Sequence, residues 1–162
     1  MTLSRLWAGW RSDYVSGVHA PNEDDHRCVL CGVVEDGGSM VWRGPHCAVI
    51  LNAYPYTSGH LMVLPLAHVG ELEDLAADHS AELWSTVALA VRALKAAYRP
   101  DGLNIGANLG RAGGAGVPGH FHMHVLPRWT GDTNFMTSVA ESRVVPEALP
   151  VTLERVRAAW PA

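Results

Sequence analysis

Residues Gly119 to Trp129 read GHFHMHVLPRW. Three of the chain's nine histidines stand here at alternate positions, with apolar residues between them. Side chains on a β-strand alternate between its two faces. A strand over this stretch therefore sends His120, His122 and His124 to one side. Phe121, Met123 and Val125 go to the other, where they should join a core. Imidazoles two residues apart on a strand are spaced by roughly 6.5–7 Å, close enough to bracket one small group. Three arrangements fit such a row. It is a solvated polar face, although serine, threonine or lysine more commonly fills that role. It is a metal site, since histidines alone can chelate zinc. Or one neutral imidazole attacks phosphorus while its neighbours hold the phosphoryl oxygens.

The segment just upstream favours the third. Asn108 to Gly119 reads NLGRAGGAGVPG, five glycines in twelve residues: Gly110, Gly113, Gly114, Gly116 and Gly119. Glycine permits positive φ and lets successive backbone N–H groups point together at an anion. Zinc needs no such loop, whereas phosphate suits it. The loop lacks the Lys-Ser/Thr ending and the following helix of a P-loop, so ATPase-type chemistry is not indicated.

Outward from this stretch the pattern is that of an α+β domain. SMVWRG and CAVILN read as two short strands joined by a tight turn, and HLMVLPL as a third, apolar enough to be buried on both faces. From Glu71 the period changes. Leu72, Leu75, His79, Leu83, Val87, Val91, Leu94 and Tyr98 recur at three- and four-residue steps, the stripe of an amphipathic helix. Asp78 or Ser80 is expected to cap its long second segment, and Arg99 to Gly102, RPDG, to end it. LNIGANL is a fourth strand, the glycine-rich segment a flexible loop, HFHMHVLPRW the fifth strand and LPVTLERVRAAW a terminal helix. These elements predict an antiparallel sheet of about five strands with a long helix across it and a C-terminal helix. The expected division is an N-terminal extension over 1–27, carrying Trp7, Trp10 and Tyr14, a domain over 28–135, and a tail and helix over 136–162.

With 162 residues, 48% of them apolar and 17% charged, the chain has the size and composition of one globular domain. A net charge of −4 argues against nucleic acid or an anionic membrane as partner. No apolar run approaches the roughly 20 residues of a membrane span, and the N-terminus lacks the apolar stretch of a signal peptide. Three cysteines fit a reducing compartment, so the expected location is the cytoplasm.

HFHMHVL resembles the histidine triad signature of the HIT superfamily of nucleotide hydrolases and transferases. ILNAYPYTSGHLMVLPLAH, the helical stretch and LNIGANLGRAGGAGVPGH follow one another as in HIT domains, so the resemblance spans about Cys28 to Trp129. RLWAGWR and HVLPRWTGDTNFM look most like the bacterial diadenosine polyphosphate-cleaving branch, which is similar to eukaryotic Fhit. The resemblance implies a HIT fold, a nucleotide substrate, a homodimer and no organic cofactor. It implies that His122 is the nucleophile and becomes adenylylated, and that His124 holds the α-phosphate and assists the leaving group. It makes His60 the separate histidine beside the triad, sets Asn52 near the nucleotide and lets Asn108 meet phosphate. Trp129 and Asn134 either pack or close over the second nucleotide, and Arg111 and Arg128 stand near enough in sequence to contact phosphate. Two alternatives remain. One is a Hint-like nucleoside phosphoramidate or nucleotidyl hydrolase, against which the PRWTGDTNF tail weighs. The other is a nucleotide sensor with negligible turnover.

Cys28 and Cys31, in CVLC, are half of a tetrahedral zinc site, a redox pair or two ordinary thiols. Many bacterial HIT proteins bind structural zinc with a similar pair, a histidine after the third strand and the first triad histidine. Carried over by that resemblance, the ligands are Cys28, Cys31, His68 and His120, with His120 then positioning rather than reacting. Cys47 is expected in the core, and His19, His26, His46 and His79 on the surface or a helix face.

Overall fold

The computed structural model describes residues 28–132 and 147–161. The chain divides into two compact units. One comprises Arg27–Trp129 with Val145–Ala162; of the other, Met1–His26 with Thr130–Val144, only residues 130–132 are described. The expected N-terminal extension, His19, His26 and Asn134 lie outside the described residues.

Five strands, β1 (Met40–Arg43), β2 (Cys47–Leu51), β3 (Leu61–Pro65), β4 (Gly102–Ala107) and β5 (Met123–Arg128), form one antiparallel sheet. Their order is β1-β2-β3-β5-β4. The helices among the described residues are α1 (Val29–Asp36), α2 (Ala77–Tyr98) and α3 (Leu149–Ala158), with a short 3-10 turn over Leu72–Asp74. This is the α+β architecture that the strand and helix periods predict.

Strand parity distributes the core between the two faces of the sheet. Cys47, Val49 and Leu51 of β2, Leu61 and Val63 of β3, and Met123 and Val125 of β5 share a core with Leu83, Val87 and Leu94 of α2. Their neighbours Ala48, Ile50, Met62 and Leu64 pack on the opposite side with Leu30 and Val34 of α1. Both central strands are consequently buried along their whole length. A fully buried aliphatic side chain contributes about 1.5–3 kcal/mol relative to an exposed one, so these strands are a major source of the fold's stability. Cys47 is core, as expected.

Two local expectations need correction, and one helix has no signal in the sequence. Helix α1 was not legible: it has eight residues, Gly32 in its interior and no side-chain cap at Cys28. Intrinsic propensity is poor, and burial of Leu30 and Val34 supplies what it lacks. Helix α2 is capped by neither Asp78 nor Ser80; Ala76 occupies the cap position without a side-chain bond. Asp78 lies inside the first turn, where its Oδ1 accepts the His79 N–H at 2.9 Å and a carboxylate suits the positive end of the helix dipole. The ladder of β5 begins only at Met123, because the Phe121 N–H donates to the Val69 carbonyl at 2.6 Å and not to a strand.

The other boundaries follow the sequence signals. Arg99 takes the left-handed cap at the end of α2, with φ 46°, and Pro100 follows. Helix α3 is fastened to that end through Glu147. The Tyr98 hydroxyl and the Thr152 hydroxyl both donate to Glu147 Oε2, the latter at 2.8 Å, and Arg155 pairs with Oε1 at 2.9 Å.

Candidate active site

His60 precedes β3 and shares the parity of Met62, and Met62 lies directly across from His124 of β5. His60 and His124 are therefore diagonal neighbours on one face of the sheet. Their rings are 5.0 Å apart, and those of His124 and His122 are also 5.0 Å apart. That is closer than two residues of regular strand would give, and the His122 and His124 rings meet edge to face, with planes 78° apart. His120 does not join this row of rings. Its side chain turns toward Cys28 and Cys31, with its Nδ1 at 3.4 Å from each sulfur.

The hydrogen bonds determine which nitrogen of each ring carries the proton. His122 Nδ1 lies 2.8 Å from the His120 carbonyl. A carbonyl only accepts, so Nδ1–H donates and the Nε2 lone pair of a neutral ring is left bare. The Tyr56 backbone N–H lies 3.1 Å from His60 Nδ1 and can only donate. His60 Nε2 must then hold the proton, which it donates to His124 Nδ1 at 2.9 Å. A neutral His124 that accepts at Nδ1 carries its own proton on Nε2. The two adjacent rings thus differ: His122 offers a lone pair, His124 an N–H.

Burial keeps His60 and His122 neutral. His60 is 1% exposed, and burial, reinforced by His124 and His122, pushes its pKa down to about 3. Burial also holds His122 below the ordinary imidazole range, opposed by its bond to the His120 carbonyl. A neutral nucleophile is therefore available at pH 7. The loop ahead of His60 supports it. Gly59 has φ +81°, and an added Cβ would come within 2.9 Å of the Tyr98 ring, so no other residue fits there without strain. Asn52 accepts the Tyr54 N–H at 3.0 Å with Oδ1, which turns its amide nitrogen toward His60 Nδ1 at 3.3 Å.

Cys28, Cys31, His68 and His120 converge on a point of their own, with ligand atoms all within 4.8 Å of one another. His120 Nε2–H donates to the Pro65 carbonyl at 2.9 Å, which leaves Nδ1 bare toward the sulfurs. This is how a metal-binding histidine is commonly oriented. Burial, then the neighbouring Cys28, raises the pKa of Cys31.

The glycine-rich segment is less loose than its composition implies. Gly114 N–H donates to Arg111 O at 3.0 Å and Ala115 N–H to Gly110 O at 3.2 Å. Gly110 and Gly114 have φ of 64° and 90°. Asn108 Nδ2 donates to the Gly114 carbonyl at 3.2 Å, so this residue closes the loop on itself.

A family model described as the HIT domain matches residues 35–131, more than half of the chain. The chain belongs to the HIT domain family. An AP-4-A phosphorylase of Mycobacterium tuberculosis is 37% identical over 165 residues, covering 98% of this chain and 85% of that protein. Two solved structures share the fold. A hypothetical histidine triad nucleotide-binding protein from Sulfolobus tokodaii has a TM-score of 0.69 and 29% identity, covering 82% of this chain and 91% of that one. A Zn-bound histidine triad family protein from Mycobacterium smegmatis has a TM-score of 0.68 and 28% identity at the same coverage.

In this HIT domain the fold brings together His60, His122, His124 and Asn52 as one cluster, and Cys28, Cys31, His68 and His120 as another. The backbone carbonyl of His120 joins the two. Gly113 is packed tightly, since a Cβ there would meet Leu109 O at 2.3 Å, whereas Gly119 has open space around it. Gly116 and Gly119 lie on the run that leads into His120. Trp129 rests edge-on against Tyr98, 6.2 Å between centroids, and Arg128 donates to Asn104 Oδ1 at 2.7 Å. Arg111 is exposed on the loop. One residue at the cluster escaped the sequence reading. Tyr56 orients His60 through its backbone and lays its ring 4.6 Å from the His60 ring. A main-chain N–H leaves no side-chain signature; only the aromatic two residues after Tyr54 in NAYPYTSG hinted at it.

Proposed function

We propose that this HIT protein cleaves adenine dinucleoside polyphosphates, diadenosine tetraphosphate among them, through a covalent nucleotidyl-histidine intermediate. The observation that carries the reading is the pair of opposed tautomers, a bare Nε2 on His122 beside an Nε2–H on His124. His122 Nε2 attacks the α-phosphorus, the P–N bond forms and the bond to the bridging oxygen breaks. His124 directs its Nε2–H at that leaving oxygen and stabilises the charge developing on it, with His60 holding its other nitrogen, and the polyphosphate departs as an anion. From diadenosine tetraphosphate the leaving group is ATP and the enzyme retains AMP. His60 stays neutral throughout, so its Nε2–H orients the His124 ring. Asn52 steadies His60, and Asn108 with Gly113, Gly114, Gly116 and Gly119 forms the loop that meets phosphate. Trp129 borders the nucleotide.

The likeness to the AP-4-A phosphorylase favours inorganic phosphate over water as the acceptor that releases AMP from His122. Attack by phosphate yields ADP; attack by water yields AMP. With diadenosine tetraphosphate and millimolar phosphate the expected products are ATP and ADP in equal amounts, separated by ion-exchange chromatography. AMP as the sole second product at every phosphate concentration overturns the phosphorylase assignment and leaves a hydrolase.

The sulfur–imidazole cluster fits zinc: two thiols, two imidazoles, and a backbone carbonyl orienting His120. Bound there, zinc supplies a structural crosslink and no chemistry at phosphorus. Cys28 and Cys31 would tie α1 to His68 and His120, and His120 would in turn hold His122 through its carbonyl. The assembly we propose is a homodimer joined through β4 and α2. Strand β4 is a sheet edge with Ile105 47% exposed, and α2 carries Trp84 55% exposed. No helix of the described residues is long and apolar enough to cross a membrane, and the cytoplasm remains the proposed compartment.

A further inference from the structure

A second set of ligating side chains meets away from the triad. The turn between β1 and β2 presents His46, and the first turn of α2 presents Asp78 and His79; their ligand atoms all lie within 4.8 Å of one another. The two imidazoles are stacked, with centroids 4.4 Å apart and planes 25° from parallel. Asp78 Oδ2 lies 3.9 Å from His46 Nε2. A stack alone needs no carboxylate at its edge.

The backbone beneath this group is fixed. Glu82, one helical turn beyond Asp78, accepts the N–H groups of His46 and Cys47 on Oε1, each at 2.9 Å. The His46 carbonyl accepts the Leu66 N–H at 2.7 Å. Gly44 lets the turn approach this closely, since a Cβ there would fall 2.6 Å from Glu82 Oε1. The turn and the helix therefore cannot drift apart, while the side chains above them are accessible: His46 is 38% exposed and Asp78 68%. Cys47 does not add a thiolate. Its thiol points inward toward the His79 carbonyl, and burial followed by Glu82 pushes its pKa up to about 12.

We propose that His46, Asp78 and His79 form a second metal site, specific for divalent transition ions such as zinc, nickel or cobalt. Two imidazole nitrogens and one carboxylate oxygen bind the ion, and water completes its shell. Imidazole selects this class over calcium or magnesium. Metal–ligand bonds of about 2.0–2.2 Å set tetrahedral ligand atoms roughly 3.3–3.6 Å apart. Closure from the present spacing needs side-chain rotation alone, with the rings turning out of their stack so that their lone pairs converge. The ion would clip the β1–β2 turn to the start of α2, and its effect is on stability.

The test is a cobalt(II) titration of the tag-free full chain, followed by equilibrium dialysis and by absorption. The expected result is a histidine-dependent equivalent that shows no thiolate-to-metal charge-transfer band. It disappears in the H46A/H79A double variant and weakens at least about tenfold in Asp78→Asn, which is about 1.4 kcal/mol. It persists in C28S/C31S. This equivalent is counted separately from any thiolate-bound one, so failure of the zinc assignment above leaves it intact. Cobalt binding unchanged by H46A/H79A, or binding that vanishes entirely with the two cysteines, overturns the proposal. Should C28S/C31S not fold, the H46A/H79A comparison decides, because it alters only half-exposed side chains.

Discussion

His122→Asn is expected to lower the turnover of diadenosine tetraphosphate by about 10⁴-fold or more, while nucleotide affinity changes only a few-fold. Asparagine occupies similar space but offers no nucleophilic nitrogen, so the step that makes the P–N bond is lost. A 10⁴-fold loss is about 5.5 kcal/mol in the barrier. His124→Asn removes the imidazole N–H aimed at the leaving oxygen and leaves the nucleophile in place. Its expected cost is smaller, about 10²–10³-fold. The ranking follows from the cluster of His60, His122 and His124, in which His122 combines a bare Nε2 with an Nδ1–H held by a carbonyl. Turnover by product chromatography and Kd from equilibrium dialysis of a non-cleavable analogue separate the two effects. Retained turnover in His122→Asn refutes covalent catalysis at this ring.

Replacing Cys28 with serine, or stripping zinc with a strong chelator, is expected to unfold the chain at markedly lower temperature. An ion held at about 1,000 times its Kd stabilises the folded state by about 4 kcal/mol. For a chain of this size each kcal/mol shifts the midpoint by about 2–4 °C, so a fall of roughly 10 °C is expected. Elemental analysis of Cys28→Ser should register the loss of one equivalent of zinc. Activity should fall with it, because His120 contributes its Nδ1 to this cluster and its carbonyl to His122. A Cys28→Ser protein with unchanged metal content and midpoint contradicts the assignment and leaves two ordinary thiols.

Much of the fold is legible because its signals are periodic. Alternation in HFHMHVL separates Met123 and Val125, which reach the α2 core, from the histidines on the other face. The 3.6-residue stripe from Leu72 to Tyr98 marks α2, and Pro100 with Gly102 marks its end. Features that depend on tertiary contacts are not legible. Helix α1 has a glycine inside it and no cap, so nothing local announces it; the underside of β2 and β3 provides its reason to form. The late start of β5 depends on the Val69 carbonyl, contributed by a connection some fifty residues earlier.

The candidate site divides in the same way. Histidine spacing and the CxxC pair identify the residue types, but which ring faces which partner is set by backbone groups: the carbonyls of His120 and Pro65 and the N–H of Tyr56. Main-chain donors and acceptors are identical at every position of a sequence. His46 and His79, read as surface or helix-face residues, are half-buried, and they stack because a helix terminus and a hairpin turn meet.

The central claim is that His122 bonds covalently to phosphorus. The most direct measurement is to mix enzyme with adenine-labelled diadenosine tetraphosphate, quench in alkali within one turnover and map the labelled peptide by mass spectrometry. The account predicts one AMP on His122, formed and discharged at rates compatible with turnover. Substrate consumption without any labelled protein, or AMP carried by a different residue, contradicts it.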